Sequence, residues 1–145
     1  MKSVIQRVTS ASVTVDNSKI SEIDHGCVIL LGVEKSDTEE HAVKLASKIS
    51  KFRFFNDEQG KMNLNIKQAN GAALVVSQFT IVADTQSGNR PGFSKGASPE
   101  QGKRLYIAFI NALASMGIAV QSGQFGADMQ VKLVNDGPVT FCINN

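Results

Sequence analysis

The chain has no tryptophan, one tyrosine, three prolines, two cysteines and two histidines in 145 residues. Each scarcity excludes something. Cys27 and Cys142 lie in separate apolar runs, "GCVILLGV" and "VTFCINN". They form neither a CxxC pair nor a zinc spacing, and both are expected as buried thiols of a cytosolic protein. His25 and His41 stand sixteen positions apart without ligand-like neighbours, so no metal site is expected. His25 falls in a turn and His41 in the first turns of a helix, and neither is an evident catalytic base. The GxSxG elbow, HExxH, the P-loop and a GxGxxG after a strand are all missing. No apolar run approaches the ~20 residues of a membrane span. The opening "MKSVIQRVTSASVTV" alternates where a signal peptide would carry an apolar core, so the expected compartment is the cytoplasm. A net charge of +2 and a pI near 8.6 permit a nucleic-acid partner without demanding one.

What is present is an ordinary globular composition, 42% hydrophobic and 19% charged, in a chain whose length suits one domain over residues 1–145. The first fifteen residues read as a strand pair with a bend or bulge at "TSAS". "NSKISEIDHG" reads as a hairpin or a short strand ending in a turn. "CVILLGV" has strand length without alternation and is expected to be buried on both faces. Helix one follows, with Asp37 as its cap, Glu40 as reciprocal partner, and Ala42, Leu45, Ala46, Ile49 and Phe52 at helical spacing. "RFFNDEQGKMNLNI" reads as two short strands around a turn at Gly60. "ALVVSQFTIVA" is a strong strand, and "DTQSGNRPGFSKGA" a Gly-rich loop. Helix two has Ser98 as N-cap, Pro99 at N1, Gln101 closing a capping box and Gly117 as the residue past its end. Leu105, Phe109, Ile110, Leu113 and Met116 form its stripe. "IAVQSG" and "MQVKLV" are further strands, and "NDGP" reads as a turn before a last edge strand. Many strands and two amphipathic helices, without βαβ alternation, predict an α+β domain: curved, barrel-like antiparallel sheets with both helices packed on them.

Two stretches could carry chemistry. In "VVSQFT", Ser77, Gln78 and Thr80 interrupt an apolar strand, and alternation puts Gln78 and Thr80 on one face with Ser77 and Phe79 on the other. They form either a cross-strand hydrogen-bond ladder or the polar floor of a pocket with backbone N–H groups as an oxyanion hole. In "GNRPGFSK", Arg90 and Lys95 join Lys103 and Arg104 of the helix beyond in a basic cluster around Phe93. It is either a solvated loop or a contact to nucleic-acid phosphates.

Taken together, "VIQRVTSASVTV", "GVEKSDTEE", "KFRFFNDEQGKMN", "SQFTIVADT", "NRPGFS", "LYIAFINAL" and "NDGPVTF" resemble the D-aminoacyl-tRNA deacylase family over nearly the whole chain. "SQFT" and "GPVT", about sixty positions apart, are the specific pair. "NRPGFS" departs from the pattern at Gly92, where a serine is expected. The resemblance implies a homodimeric hydrolase, without cofactor or metal, that cleaves D-amino acids and mischarged glycine from tRNA. It implies that Ser77, Gln78, Phe79 and Thr80 line the pocket for the adenosine and ester, as the catalytic set. It also implies that Gly137 and Pro138, joined by a cis peptide, reach into the partner subunit's site and reject L-substrates. The tRNA's terminal 2′-hydroxyl would then assist the attacking water. A covalent role for Thr80 would require a base to activate it. A noncatalytic RNA-binding module is the reading from another class; it leaves "SQFT" and "GPVT" without a purpose.

Overall fold

The computed structural model describes residues 1–86 and 88–145; Ser87, inside the Gly-rich loop, lies outside the described residues. Along the chain run β1 (Lys2–Val15), β2 (Ser18–Ile23), β3 (Gly26–Gly32), α1 (Glu39–Lys51), β4 (Phe55–Asn56), β5 (Met62–Leu64) and β6 (Ala72–Ser77). A 3₁₀ turn (Phe79–Val82), α2 (Pro99–Ser115), β7 (Ala119–Ser122) and β8 (Gln130–Asn144) complete it.

β1 is the spine. One edge pairs antiparallel with β8 over nearly its full length. The other is divided: Lys2–Val8 pairs with β3 and Ala11–Val15 with β2. The expected strand pair is therefore one strand, because register shifts at Val8, Ser10 and Thr14 let it bend without breaking. The sheet continues from β3 to β6 and β7, and curls until β2 comes back against β6 and β7. This bears out the α+β, barrel-like reading with two helices. The β3–β6 and β6–β7 pairings, however, are parallel, and β6–α2–β7 is a βαβ unit that the sequence reading did not see.

The curl creates two cores. Alternate residues of β3 and β6 divide between them, which is why "CVILLGV" has no polar face. Cys27, Ile29, Leu31, Ala73 and Val75 meet Leu45 and Ile49 of α1 and Leu105 and Phe109 of α2. Val28, Leu74 and Val76 meet Val8, Ala11 and Val13 of β1 inside the curl.

The helix ends correct one expectation. α1 is capped by Thr38, whose Oγ1 accepts from the His41 N–H, while His41 Nδ1 accepts from the Thr38 N–H. Asp37 is held elsewhere: its carboxylate takes the buried Met1 ammonium at 2.5 Å and the Glu34 N–H at 2.7 Å. α2 is capped by Ser98 as expected, but Gln101 does not return the bond; its amide donates to Lys35 O and Asp37 O. Gly117 ends α2 at φ 81°. Cys27 is buried as read, whereas Cys142 is exposed, since β8 alternates and Phe141 and Ile143 take the inward places.

β3 and β6 approach closely where Gly26 pairs with Ala72; a Cβ on Gly26 would lie 1.8 Å from the Ala72 carbonyl oxygen. Gly26→Ala must part the two strands and is expected to cost ~3 kcal/mol, the upper end of overpacking penalties, read as a fall in the urea midpoint.

Candidate active site

The site is built where β6 stops. The Gln78 N–H makes the last rung of the parallel ladder, donating to Leu31 O at 2.8 Å. The backbone then leaves the extended region and winds into the 3₁₀ turn, closed by Ile81 N–H to Gln78 O (3.3 Å) and Ala83 N–H to Thr80 O (3.1 Å). Val82, 1% exposed, pins the turn to the core. "ALVVSQFTIVA" is thus a strand only to Ser77. Gln78 and Thr80 still meet, Gln78 Nε2 donating to Thr80 Oγ1 at 2.5 Å. The first N–H groups of a helical turn lack an intrahelical acceptor, and here these belong to Phe79 and Thr80.

Beside the turn lies a cleft of about 550 Å³. Leu31, Val76, Ser77 and Gln78 line one side. The first turns of α2 supply Ser98, Pro99, Gly102 and Tyr106, and Phe125, Met129 and Val131 face them. Gly102 allows this closeness, since a Cβ there would sit 3.3 Å from the Phe125 ring. Phe79 and Phe93 stand at the mouth. The cleft is mostly apolar with a few convergent polar groups, the usual character of a small-ligand site. Thr80 is exposed beside it rather than within its lining. The Tyr106 hydroxyl donates to Val75 O at 2.8 Å, and burial pushes its pKa up to about 12. It remains a neutral donor throughout the physiological range.

Gly137 and Pro138 occupy a different place. Val8 pairs with Asn135 and Gln6 with Thr140, so residues 136–139 bulge out of β8 opposite Arg7. The expected terminal turn is this bulge inside one continuous strand. The Gly137–Pro138 peptide is cis, and both residues are exposed. Gly137 has φ 131°, and a Cβ there would meet Val139 Cγ2 at 2.7 Å. Only glycine suits that conformation. Asn135 braces the bulge, its Oδ1 accepting from the Val139 N–H at 3.0 Å and its Nδ2 donating to Thr140 Oγ1 at 3.0 Å. Measured along the sheet, three strand spacings and about four residues separate the bulge from Ser77, roughly 20 Å. One chain therefore does not bring Gly137 and Pro138 to its own Ser77–Thr80 turn.

The bulge rests on Arg7, which the sequence reading missed. Its guanidinium is buried, and donates to Asp136 O (3.3 Å), Phe54 O (3.0 Å) and Asn56 Oδ1 (3.2 Å). The Asp136 carboxylate lies 3.3 Å away. A signal was available: Arg7 shares the parity of Ser3 and Ile5, the inward residues of β1. His25 packs edge-on to Phe55 beside Arg7, and His41 caps α1, so neither histidine lines the cleft.

The four basic residues are all exposed. Lys95 lies 3.5 Å from Asp84, and Arg104 lies 3.3 Å from Glu39. Asp84 is held below the usual carboxylate range by the Gln86 N–H and then by Lys95. Arg90 and Lys103 have no ion-pair partner among the described residues. No helix among these residues is long and apolar enough to cross a membrane.

The family model described as D-Tyr-tRNA(Tyr) deacylase matches residues 4–144. The chain belongs to the D-Tyr-tRNA(Tyr) deacylase family. It is 60% identical over 144 residues to the "D-aminoacyl-tRNA deacylase" of Alteromonas mediterranea, covering 99% of each chain, and 58% identical to that of Pseudoalteromonas atlantica over the same share. The solved structure of "c-Myc DNA Unwinding Element Binding Protein" superposes with a TM-score of 0.94 at 38% identity, covering 100% of this chain and 99% of that one.

In this deacylase-family fold Tyr106 ties the cleft wall to β6. Tyr106→Phe is expected to cost ~1 kcal/mol at neutral pH, the worth of one hydrogen bond. The folded-state pKa lies above the unfolded value near 10, so unfolding releases the phenolic proton first. Wild-type stability therefore falls as pH rises from about 10 to 12. Cys27, also pushed to about 12 by burial, acts in the same direction in both proteins. The gap between wild type and Tyr106→Phe is expected to narrow over that window in urea titrations.

Proposed function

We propose that this chain hydrolyses the ester joining a D-amino acid, or mischarged glycine, to the terminal adenosine of tRNA, and spares L-aminoacyl-tRNA. What carries the reading is the turn after β6, which starts with two N–H groups lacking an intrahelical acceptor and stands beside an apolar cleft. It does so in a chain 60% identical to a protein named D-aminoacyl-tRNA deacylase. The adenosine fits the cleft against Phe125 and Met129, with the ester at its Ser77–Thr80 end. The developing oxyanion is met by the Phe79 and Thr80 N–H groups, because the Gln78 N–H is already committed to Leu31. Water attacks the ester carbon, held in place by the neighbouring 2′-hydroxyl, which accepts the water's proton as it passes its own to the departing ribose 3′ oxygen. Thr80 positions: its hydroxyl faces the Gln78 amide, a donor, and not a base.

D and L residues carry the same groups, so affinity alone separates them poorly; what differs is the direction of the side chain from Cα. Gly137 and Pro138 of the partner subunit supply a wall beside Cα in a homodimer. Their exposure, their distance from their own chain's turn, and the bracing by Asn135 and Arg7 support this assignment in trans. Arg90 and Lys103, with Lys95 and Arg104 more weakly, contact tRNA phosphates. The protein works in the cytoplasm.

A deacylation assay tests the reading. D-tyrosyl-tRNA and glycyl-tRNA are expected to be cleaved and L-tyrosyl-tRNA spared; equal rates on both tyrosyl esters would sink it. Gly137→Val, strained at its φ and pressed against Val139, is expected to lower turnover of D-tyrosyl- and glycyl-tRNA alike. Thr80→Ala is expected to slow turnover about tenfold, as loss of one hydrogen bond of ~1.4 kcal/mol would, whereas a terminal 2′-deoxyribose nearly abolishes it. An acyl-enzyme trapped at Thr80 by mass spectrometry would move the chemistry onto the protein.

A further inference from the structure

Two large apolar side chains stay in solvent at the mouth of the cleft. Phe79 is 65% exposed and Phe93 43%, with ring centroids 5.1 Å apart at 50°. At that tilt the rings do not cover each other, so an open aromatic surface remains. Phe93 is not on a loose loop. On one side Gly92 exchanges two backbone hydrogen bonds with Asp84, at 2.7 and 2.9 Å. On the other, the Lys35 N–H reaches Lys95 O (3.0 Å) and the Ala97 N–H reaches Val33 O (3.1 Å). The ring is thus presented rigidly, at the cost of apolar surface left in water.

Its neighbours are cationic. Lys95 follows two positions on and Arg90 precedes by three, both exposed. Apolar rings flanked by lysine and arginine on the path out of a nucleoside-sized cleft are the combination that single-stranded nucleic acid uses: a ring for the base, a cation for the phosphate.

We propose that Phe93, backed by Phe79, is a stacking platform for the base of the penultimate nucleotide of the tRNA 3′ end, with Lys95 and Arg90 beside the phosphate that joins it to the terminal adenosine. This rests on the deacylase reading and deepens it. Stacking accepts any base, which suits an end whose sequence need not be read.

The test compares two small substrates, the D-tyrosyl 3′-ester of adenosine and that of the dinucleotide CpA. For wild type, kcat/KM is expected to be roughly tenfold higher on the dinucleotide, within the range of one base–aromatic stack. Replacing its cytosine by an abasic residue removes the advantage. Phe93→Leu is expected to bring the ratio close to one, and Phe93→Trp to restore it. A ratio that survives Phe93→Leu, or a wild-type ratio that ignores the abasic substitution, overturns the proposal. So does a Phe93→Leu chain that sediments as a different oligomer, which would assign the ring to an interface. If wild type cleaves neither ester, the deacylase reading itself falls; if it cleaves both equally well, only the stacking platform falls.

Discussion

The hydrogen bond from Gln78 N–H to Leu31 O is the last rung of the β3–β6 ladder, and the site takes its shape from it. Had the ladder run on to its next rung, the Thr80 N–H would have paired with β3 and no turn would open. Ending there, it commits one N–H, leaves the next two at the start of a helical turn without an intrahelical acceptor, and brings Gln78 and Thr80 together outside the sheet. The rung stands on a firm base: β3 and β6 are packed on both faces, and Gly26 lets them approach at the far end. A catalytic group placed by buried parallel strands moves less than one placed by a loop.

Local signals made much of this fold legible. The Ser98–Pro99 start and Gly117 end of α2, the unbroken apolar run of β3 and the Gly60 turn all depend on residues close in sequence, and the structure keeps them. Readings failed where a distant partner intervened. Asp37 is a sound cap residue, but an ammonium 36 positions away takes its carboxylate, so the cap passes to Thr38 and His41 to its reciprocal bond. Gln101 likewise finds the carbonyls of Lys35 and Asp37 before its own backbone. The parallel pairings of β6 join segments whose sequences carry no mark of direction. Cys142 shows the limit of reading burial from an apolar neighbourhood, because strand parity decides it.

The site was legible as two motifs and not as one place. "SQFT" and "GPVT" were singled out together, yet the chain puts them on different parts of the sheet. That separation is what the proposed function answers by letting the two motifs meet across two subunits. Arg7 shows what pattern reading discards: a charge at an inward position looks like noise in an amphipathic strand, and here it ties the bulge at Asp136 to Phe54 and Asn56.

The pairing of β1 with β8 also has a consequence in time. Ser3 and Ile143 are bonded neighbours although 140 positions apart. Contacts of such separation require a large loop to close before they return any free energy, which slows folding. During synthesis β1 and β3 can pair early, while the long outer edge of β1 waits, unpaired, for almost the whole chain. An open edge is a template for pairing with another molecule. The half-buried Lys2 and Gln6 and the exposed Thr9 and Ser10 side chains along β1, together with its register shifts, make that edge polar and uneven for as long as it stands uncovered.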